Sequence, residues 1–297
     1  MTTGKVRQIR RRIRSVDKIR QITRAMELVA TSKIKRAEDR IRAAHPYAQK
    51  MVEVMQNLST QAGVLVHPLL EVHEPQVNTG ILVLTANRGL CGAFNSSVLR
   101  KAEELIREEK ANGRNVKILV VGKKGLSYLR YRGYEIVEAY LEISDAPTFE
   151  EASRLAQRLM DMYVAKEIDL AYIVFNHFKS VAEQRPVIFK LFPLEKPPVV
   201  EEEEKVFREY IFEPSPAEIA GALLPAYAQT VTFRTLLESA ESEHGARRTA
   251  MKAATDNSGD MIGHLTLSFN RARQAQITQE LAEITGTAEA LKYAEQH

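Results

Sequence analysis

The 297-residue chain carries 42 Lys+Arg against 38 Asp+Glu, one cysteine and no tryptophan. With 44% hydrophobic and 27% charged residues it has the balance of a folded, water-soluble protein, long enough for one large domain or two modest ones. A single cysteine excludes an intramolecular disulfide and a Cys-rich zinc site, and no apolar run reaches the roughly 18 residues of a membrane span. The N-terminus is basic but lacks the apolar stretch of a secretory signal, so the expectation is a soluble, cytoplasmic chain. The net charge of +4 hides an asymmetry: residues 1–42 hold 14 Lys+Arg and four acids, a local +10 against −6 for the rest. One end is built to meet negative charge.

From Ile9 to Leu58 an apolar or small residue returns in 14 steps over 49 residues, through Ile13, Val16, Ile19, Ile22, Met26, Val29, Ile34 and onward. The mean spacing of 3.5 is the heptad period of a coiled coil. Pro46 is expected to kink or divide this helix. Then the pattern changes. Short β-branched runs at 80–86 (GILVLTA), 116–122 (VKILVVG), 170–175 (LAYIVF) and 186–192 (PVIFKLF) read as strands, the first three parallel. Helical stretches at 96–111, 126–132 and 148–166 alternate with them, as in an open Rossmann-like sheet. Residues 194–216, with a Pro-Pro pair and the acidic run 201–204, read as a connector holding an edge strand at 209–212. After Pro225 no proline follows, and Ala, Leu, Glu, Arg and Gln favour a second long helix. Its small residues invite close approach of a partner helix, while Gly245, Gly259, Gly263 and Gly286 each weaken it by about 1 kcal/mol relative to Ala.

The fold expected is therefore α/β: an antiparallel coiled coil of long N- and C-terminal helices with an inserted Rossmann-like open α/β domain. The divisions are 1–66 for the first helix, 76–193 for the domain, 194–216 for the connector and 217–297 for the second helix. A shaft with a head is the implied shape.

Chemical motifs are sparse. No G-x-x-x-x-G-K-[ST] phosphate loop exists, and Gly89-Leu-Cys-Gly92 and Gly122-Lys-Lys-Gly125 lack dinucleotide-binding spacing, so both read as turns. The seven histidines show no metal-ligand spacing, and Cys91 reads as a small buried filler. Arg10, Arg11, Arg12, Arg14, Lys18, Arg20 and Arg24 can face a nucleic-acid backbone or acidic protein. The absence of Tyr and Phe from residues 1–46 weighs against nucleic acid. A coiled-coil nucleic-acid-associated protein using this basic helix stays the alternative reading, and a nucleotide-dependent activity at Gly89–Gly92 a third.

Three blocks carry a family resemblance: Ile22-Thr-Arg-Ala-Met-Glu-Leu-Val-Ala30 with Lys33, Asn87-Arg-Gly-Leu-Cys-Gly-Ala-Phe-Asn95, and Glu238-Ser-Ala-Glu-Ser-Glu-His-Gly-Ala-Arg-Arg-Thr-Ala-Met-Lys-Ala-Ala-Thr-Asp-Asn257. With Asn270-Arg-Ala-Arg-Gln274 and Glu283-Ile-Thr-Gly286, the chain resembles, over its whole length, the gamma subunit of the F-type ATP synthase. The resemblance implies a central-stalk rotor coupling a proton-driven membrane ring to conformational cycling of catalytic beta subunits. It assigns this chain no catalytic residue, cofactor or metal. It implies as partners alpha and beta subunits (three each), the epsilon subunit and the ring of c subunits. Contact with the catalytic ring falls to Arg20, Arg24, Met26, Lys33, Arg271, Arg273, Gln274, Thr278, Glu280 and Glu283. An apolar bearing falls to Leu281, Ile284, Ala288 and Leu291, and rotor-ring or epsilon contact to Tyr210, Phe212 and Glu213. Lacking the second cysteine of the chloroplast regulatory insert, the chain has no such thiol switch. An initiating Met leading directly into the helix favours a bacterial source, with the protein peripheral on the cytoplasmic face of the cell membrane.

Overall fold

The computed structural model describes residues 2–61, 67–194 and 215–295. Helix α1 (Thr2–Gln61) leads through a short 3-10 turn (Pro68–Leu70) into β1 (Asn78–Leu84), α2 (Phe94–Ala111), β2 (Asn115–Val121), α3 (Lys123–Tyr131), β3 (Ile136–Tyr140), α4 (Phe149–Val164), β4 (Leu170–Phe178) and β5 (Gln184–Phe192). It ends in the 80-residue α5 (Pro216–Glu295). Pro46 does not divide α1, and α5 begins before Pro225 and runs through it. The expected connector strand at 209–212 lies outside the described residues.

The sheet has the order β3-β2-β1-β4-β5, parallel except for β5, which pairs antiparallel with β4. Alternation along each strand sends Leu82, Leu84, Leu119 and Ile173 to one face and Ile81, Val83, Ile118 and Val174 to the other. The first face is covered by α4 and the opening turns of α5 through Leu155, Leu159, Ala220 and Leu224. The second is covered by α2 and α3 through Val98, Leu105, Ile106 and Leu129. Burial on both faces explains why the strands read as continuous apolar runs. The sequence reading missed β3 (IVEAY), an edge strand of five residues that is only partly buried and contains Glu138.

The chain divides into two compact units, Met1–Val29 with Ala250–His297, and Ala30–Thr249. Within the first, Thr255 Oγ1 donates to Thr23 Oγ1 at 2.8 Å and the Arg10 guanidinium lies 5.3 Å from the Phe269 ring centre. One register satisfies both contacts and runs the helices antiparallel. Residues 277–288 lie beyond the part of α5 that this register matches to α1, which starts at Thr2. Burial here corrects the heptad reading: Val16 and Thr23 turn inward, while Ile19, Ile22 and Val29 are 50%, 59% and 57% exposed. A Cβ on Gly259, Gly263 or Gly286 would meet nothing within 4 Å among the described residues, so these glycines mark no close helix approach. In the second unit the inward positions of α1 are Ala30, Ile34, Ala37 and Met51.

Candidate functional site

In an open α/β sheet the crevice for a ligand lies at the carboxyl ends of the strands, where successive connections leave in opposite directions. Here that point falls between β1 and β4. The protein fills it with its own groups. Asn176, at the end of β4 and 1% exposed, donates from Nδ2 to the Phe94 carbonyl at 2.9 Å and accepts at Oδ1 from Ser97 Oγ at 3.1 Å. Ser242 of α5 then donates to the Asn176 carbonyl at 2.8 Å. Cys91 packs with Ala86 and Phe94 against Ala246 of the same helix, and burial pushes its thiol pKa up. The lone cysteine is therefore a buried filler, as its setting in the turn implied.

The neighbouring helix N-terminus is closed in the same way. The first N–H groups of α3 would be ready anion donors. Lys123 N–H instead donates to Asn87 Oδ1 at 3.0 Å, Lys124 N–H to the Ala86 carbonyl at 3.1 Å and Gly125 N–H to Thr85 Oγ1 at 2.9 Å. Gly122 has φ +95°, and a Cβ there would lie 2.2 Å from the Thr85 carbonyl oxygen. Gly125 is also tight, a Cβ there lying 2.6 Å from Thr85 Oγ1. These glycines let two loops interlock. A cavity of about 360 Å³ beside them is lined by Lys33, Asn87, Lys123, Asp145, Ser239 and Glu243. Asn87 is already engaged there, its Nδ2 donating to the carbonyls of Leu141 and Ile143.

The element doing the filling is α5. Residues 235–245 (TLLESAESEHG) are buried on every side of the helix, although seven of the eleven are polar or charged. Most of these polar groups have a specific partner. His244, 1% exposed, places Nε2 3.2 Å from the Asp145 carbonyl and Nδ1 3.3 Å from the Arg247 guanidinium. Burial pushes its pKa down to about 4, so it is neutral at pH 7. Arg247 binds Glu243 at 2.6 Å and the Gly89 carbonyl at 3.4 Å, tying the β1–α2 loop to the helix. Burial still leaves the Glu243 carboxyl above its ordinary range. On the far side His177 of β4 meets Glu238 at 2.7 Å, and Glu238 also accepts from Arg234. Gly245 is no mere weak point: a Cβ would come within 3.1 Å of Phe178 and 3.2 Å of Gln184 on the β4–β5 hairpin.

Helix α1 joins this assembly through Lys33, whose ammonium pairs with Asp145 in the β3–α4 loop. Burial opposes ionisation of Asp145, but Lys33 beside it wins and holds the carboxyl below its ordinary range. The loop at 87–92 adds one strained residue. Leu90 has φ +62°, unusual for a non-glycine residue, and is 64% exposed.

The other residues singled out by sequence separate from this site. Arg20 is exposed and paired with Asp17 at 3.1 Å, Arg24 is exposed and paired with Glu27 at 2.9 Å, and Met26 is half-buried. Arg271, Arg273, Gln274, Thr278, Glu280 and Glu283 are all exposed on α5. Gln276 and Gln279 donate to Glu280 and Glu283 one turn on. Leu281 and Ile284 are 59% and 67% exposed, and Ala288 is exposed. The Leu291 side chain, and all of Tyr210, Phe212 and Glu213, lie outside the described residues. Sequence reasoning missed Asn87, Asp145, Asn176 and Ser242 as the pins of the assembly. The one available signal was the polar density of 238–244 within an otherwise good helix. Among the described residues no cluster of His, Cys, Asp or Glu has metal-binding geometry, and no helix is long and apolar enough to cross a membrane.

Comparison with known proteins agrees over the full length. The profile of the family described as ATP synthase matches residues 5–291. The ATP synthase gamma chain of Desulforamulus reducens is 44% identical over 287 residues, covering 96% of this chain and 99% of the relative. That of Mycolicibacterium smegmatis is 42% identical over 300 residues, covering 96% and 97%. Among solved structures, a chain of the Euglena gracilis mitochondrial ATP synthase, in an OSCP/F1/c-ring assembly, superposes with a TM-score of 0.71 at 20% identity, covering 99% of this chain and 97% of that one. A central stalk/c-ring chain of the Tetrahymena thermophila enzyme gives 0.58 at 24% identity over 78% of this chain and 99% of that one. At those identities the likeness is one of fold. On the match of profile and relatives, the chain belongs to the ATP synthase gamma-chain family.

Proposed function

We propose that this chain is the central-stalk rotor subunit of a proton-translocating F-type ATP synthase, coupling rotation of the membrane ring to conformational cycling of the catalytic beta subunits. The observation that carries it is the match to gamma chains at 40–44% identity along nearly the whole of both chains. The chain is a non-catalytic subunit of that rotary complex. Its crevice and α3 amides are occupied by its own side chains and carbonyls, which supports a domain used as a rigid mount.

The mechanism is differential contact. An asymmetric rotor touches equivalent subunits differently at each angle, and each subunit shifts toward the conformation that its contact favours. Exposed Ile19, Ile22 and Val29, beside Arg20, Arg24 and half-buried Met26, supply an apolar and cationic face for acidic beta segments. Arg271, Arg273, Gln274, Thr278, Glu280 and Glu283 serve the same ring from α5. Leu281, Ile284, Ala288 and Leu291 form the apolar bearing, where weak directional contacts resist turning little. Tyr210, Phe212 and Glu213 face epsilon or the c ring. Lys33 has a different role from ring contact alone: through Asp145 it anchors α1 to the loops that grip α5, and torque needs that anchorage. The partners are alpha, beta, epsilon and c subunits, at the cytoplasmic face of a bacterial membrane.

Co-expression with alpha and beta subunits tests this. The chain is expected to co-purify in one complex and to raise its ATPase activity, with no turnover by the chain alone. A complex that excludes the chain, or whose activity ignores it, overturns the reading.

A further inference from the structure

The cavity of about 360 Å³ beside the 87–92 loop lies at the carboxyl ends of β1 and β2, which contribute Leu84 and Val121 to its wall. Its size falls within the roughly 300–1,000 Å³ of small-molecule sites, and its place is the end of an open α/β sheet where ligands bind. Asn87 and Thr85 are already engaged there, but one polar group is not. Ser239 of α5 is only 7% exposed and lines the cavity, yet among the described residues its hydroxyl has no hydrogen-bond partner. Its neighbours behave differently: Thr235 donates back to its own helix, and Ser242 to the Asn176 carbonyl. Nor is the Ser239 hydroxyl sealed in protein, because Ser153 Oγ is the one fully buried side-chain polar atom among the described residues without a partner. It opens onto the cavity as an unmet donor and acceptor.

The charges sort by depth. Arg88 and Lys123 are exposed and have no acidic partner among the described residues, and the bond from Lys123 N–H to Asn87 Oδ1 sets their two loops side by side. Asp145 and Glu243 are less exposed, and each already holds a cation, Lys33 and Arg247 respectively. A carboxylate so paired still has lone pairs for further donors. Ile143 and Leu236 extend the apolar wall, and no aromatic ring lines the cavity among the described residues.

We propose that this cavity is a binding site for a phosphorylated sugar or polyol. Its phosphate meets Arg88 and Lys123, its hydroxyls meet Ser239, Asp145 and Glu243, and its carbon skeleton lies on the apolar wall. A sugar hydroxyl donates and accepts at once, which suits a serine hydroxyl with a carboxylate one turn along the same helix. A nucleotide base finds nothing to stack on. Because the lining comes from α1, α5 and the β1–α2 and β3–α4 loops, an occupant bridges all four. The site is a property of this chain and does not rest on the rotor reading.

Calorimetric titration of the full chain with ribose 5-phosphate tests this, with ribose, inorganic phosphate, AMP and an acidic peptide as comparison probes. Ribose 5-phosphate is expected to bind one to one with Kd below about 1 mM, and ribose and phosphate at least about tenfold more weakly, since each makes only part of the contacts. Ser239→Ala removes no bond within the protein, so thermal unfolding should be unchanged while affinity falls about fivefold. Arg88→Gln with Lys123→Gln, both at exposed sites, should lower affinity by at least about thirtyfold with the fold intact. Absence of binding at about 10 mM ribose 5-phosphate overturns the proposal. So does an affinity no better than that of inorganic phosphate and untouched by Ser239→Ala, which would leave only a cationic surface. Tighter binding of AMP than of ribose 5-phosphate, or of the acidic peptide through Arg88 and Lys123, overturns it as well.

Discussion

Two stretches of the same helix invert the usual rule of burial. Residues 235–245 of α5 are rich in Glu, Ser and His and are buried on every side; residues 277–288 carry Ile277, Leu281 and Ile284 and are exposed. Polar groups are buried only where partners meet them, and here Asn176, His177, Asp145 and Arg247 do so. Such an interlock fixes one position along the helix, which an apolar stripe does loosely. One stretch holds its own chain; the other presents its apolar side chains to solvent.

Breaking the buried stretch gives the largest effects. Arg247→Ala strands the Glu243 carboxyl in a buried site and should cost about 3 kcal/mol, read by denaturant unfolding of the full chain. His244 gives a comparable effect through pH. Its pKa is depressed from 6.5 to about 4, so its contribution is complete above pH 6.5 and lost as pH falls through 4. Wild type should lose about 3 kcal/mol relative to His244→Gln across that interval; parallel stability curves would show the ring to be indifferent to burial.

Asn87→Ala frees two carbonyls and one α3 amide, and should cost about 2 kcal/mol in the same unfolding measurement. Leu281→Asp with Ile284→Asp sits at the other extreme. Both sites are already in water, so stability should change by less than about 0.5 kcal/mol while assembly with alpha and beta is lost. A stability loss matching that of Arg247→Ala would erase the distinction between the stretches.

The fold was legible where physics is periodic. Parallel strands buried on both faces show as apolar runs, and long helices show as repeating stripes, so the architecture followed from the sequence. The edge strand β3 escaped because one flank lacks a neighbour and its side chains need not be apolar. The α1 stripe was drawn through Ile19, Ile22 and Val29, whereas Thr23 and Ala30 turn inward. Hydrophobicity marks both a core and a docking face, and periodicity alone does not separate them. The clasp of α5 was least legible. Asp145 and Asn176 lie far apart in sequence from the helix they serve, and a polar helical segment normally signals solvent.

The central claim is that this chain turns within a ring whose chemistry belongs to other subunits. Tyr131 is 88% exposed and the lone cysteine is buried, so Tyr131→Cys accepts a bead selectively. With the alpha and beta subunits fixed to a surface, the account predicts ATP-driven rotation of the bead in one direction. Sustained ATP hydrolysis in a complex containing the labelled chain, with the bead motionless, would contradict it.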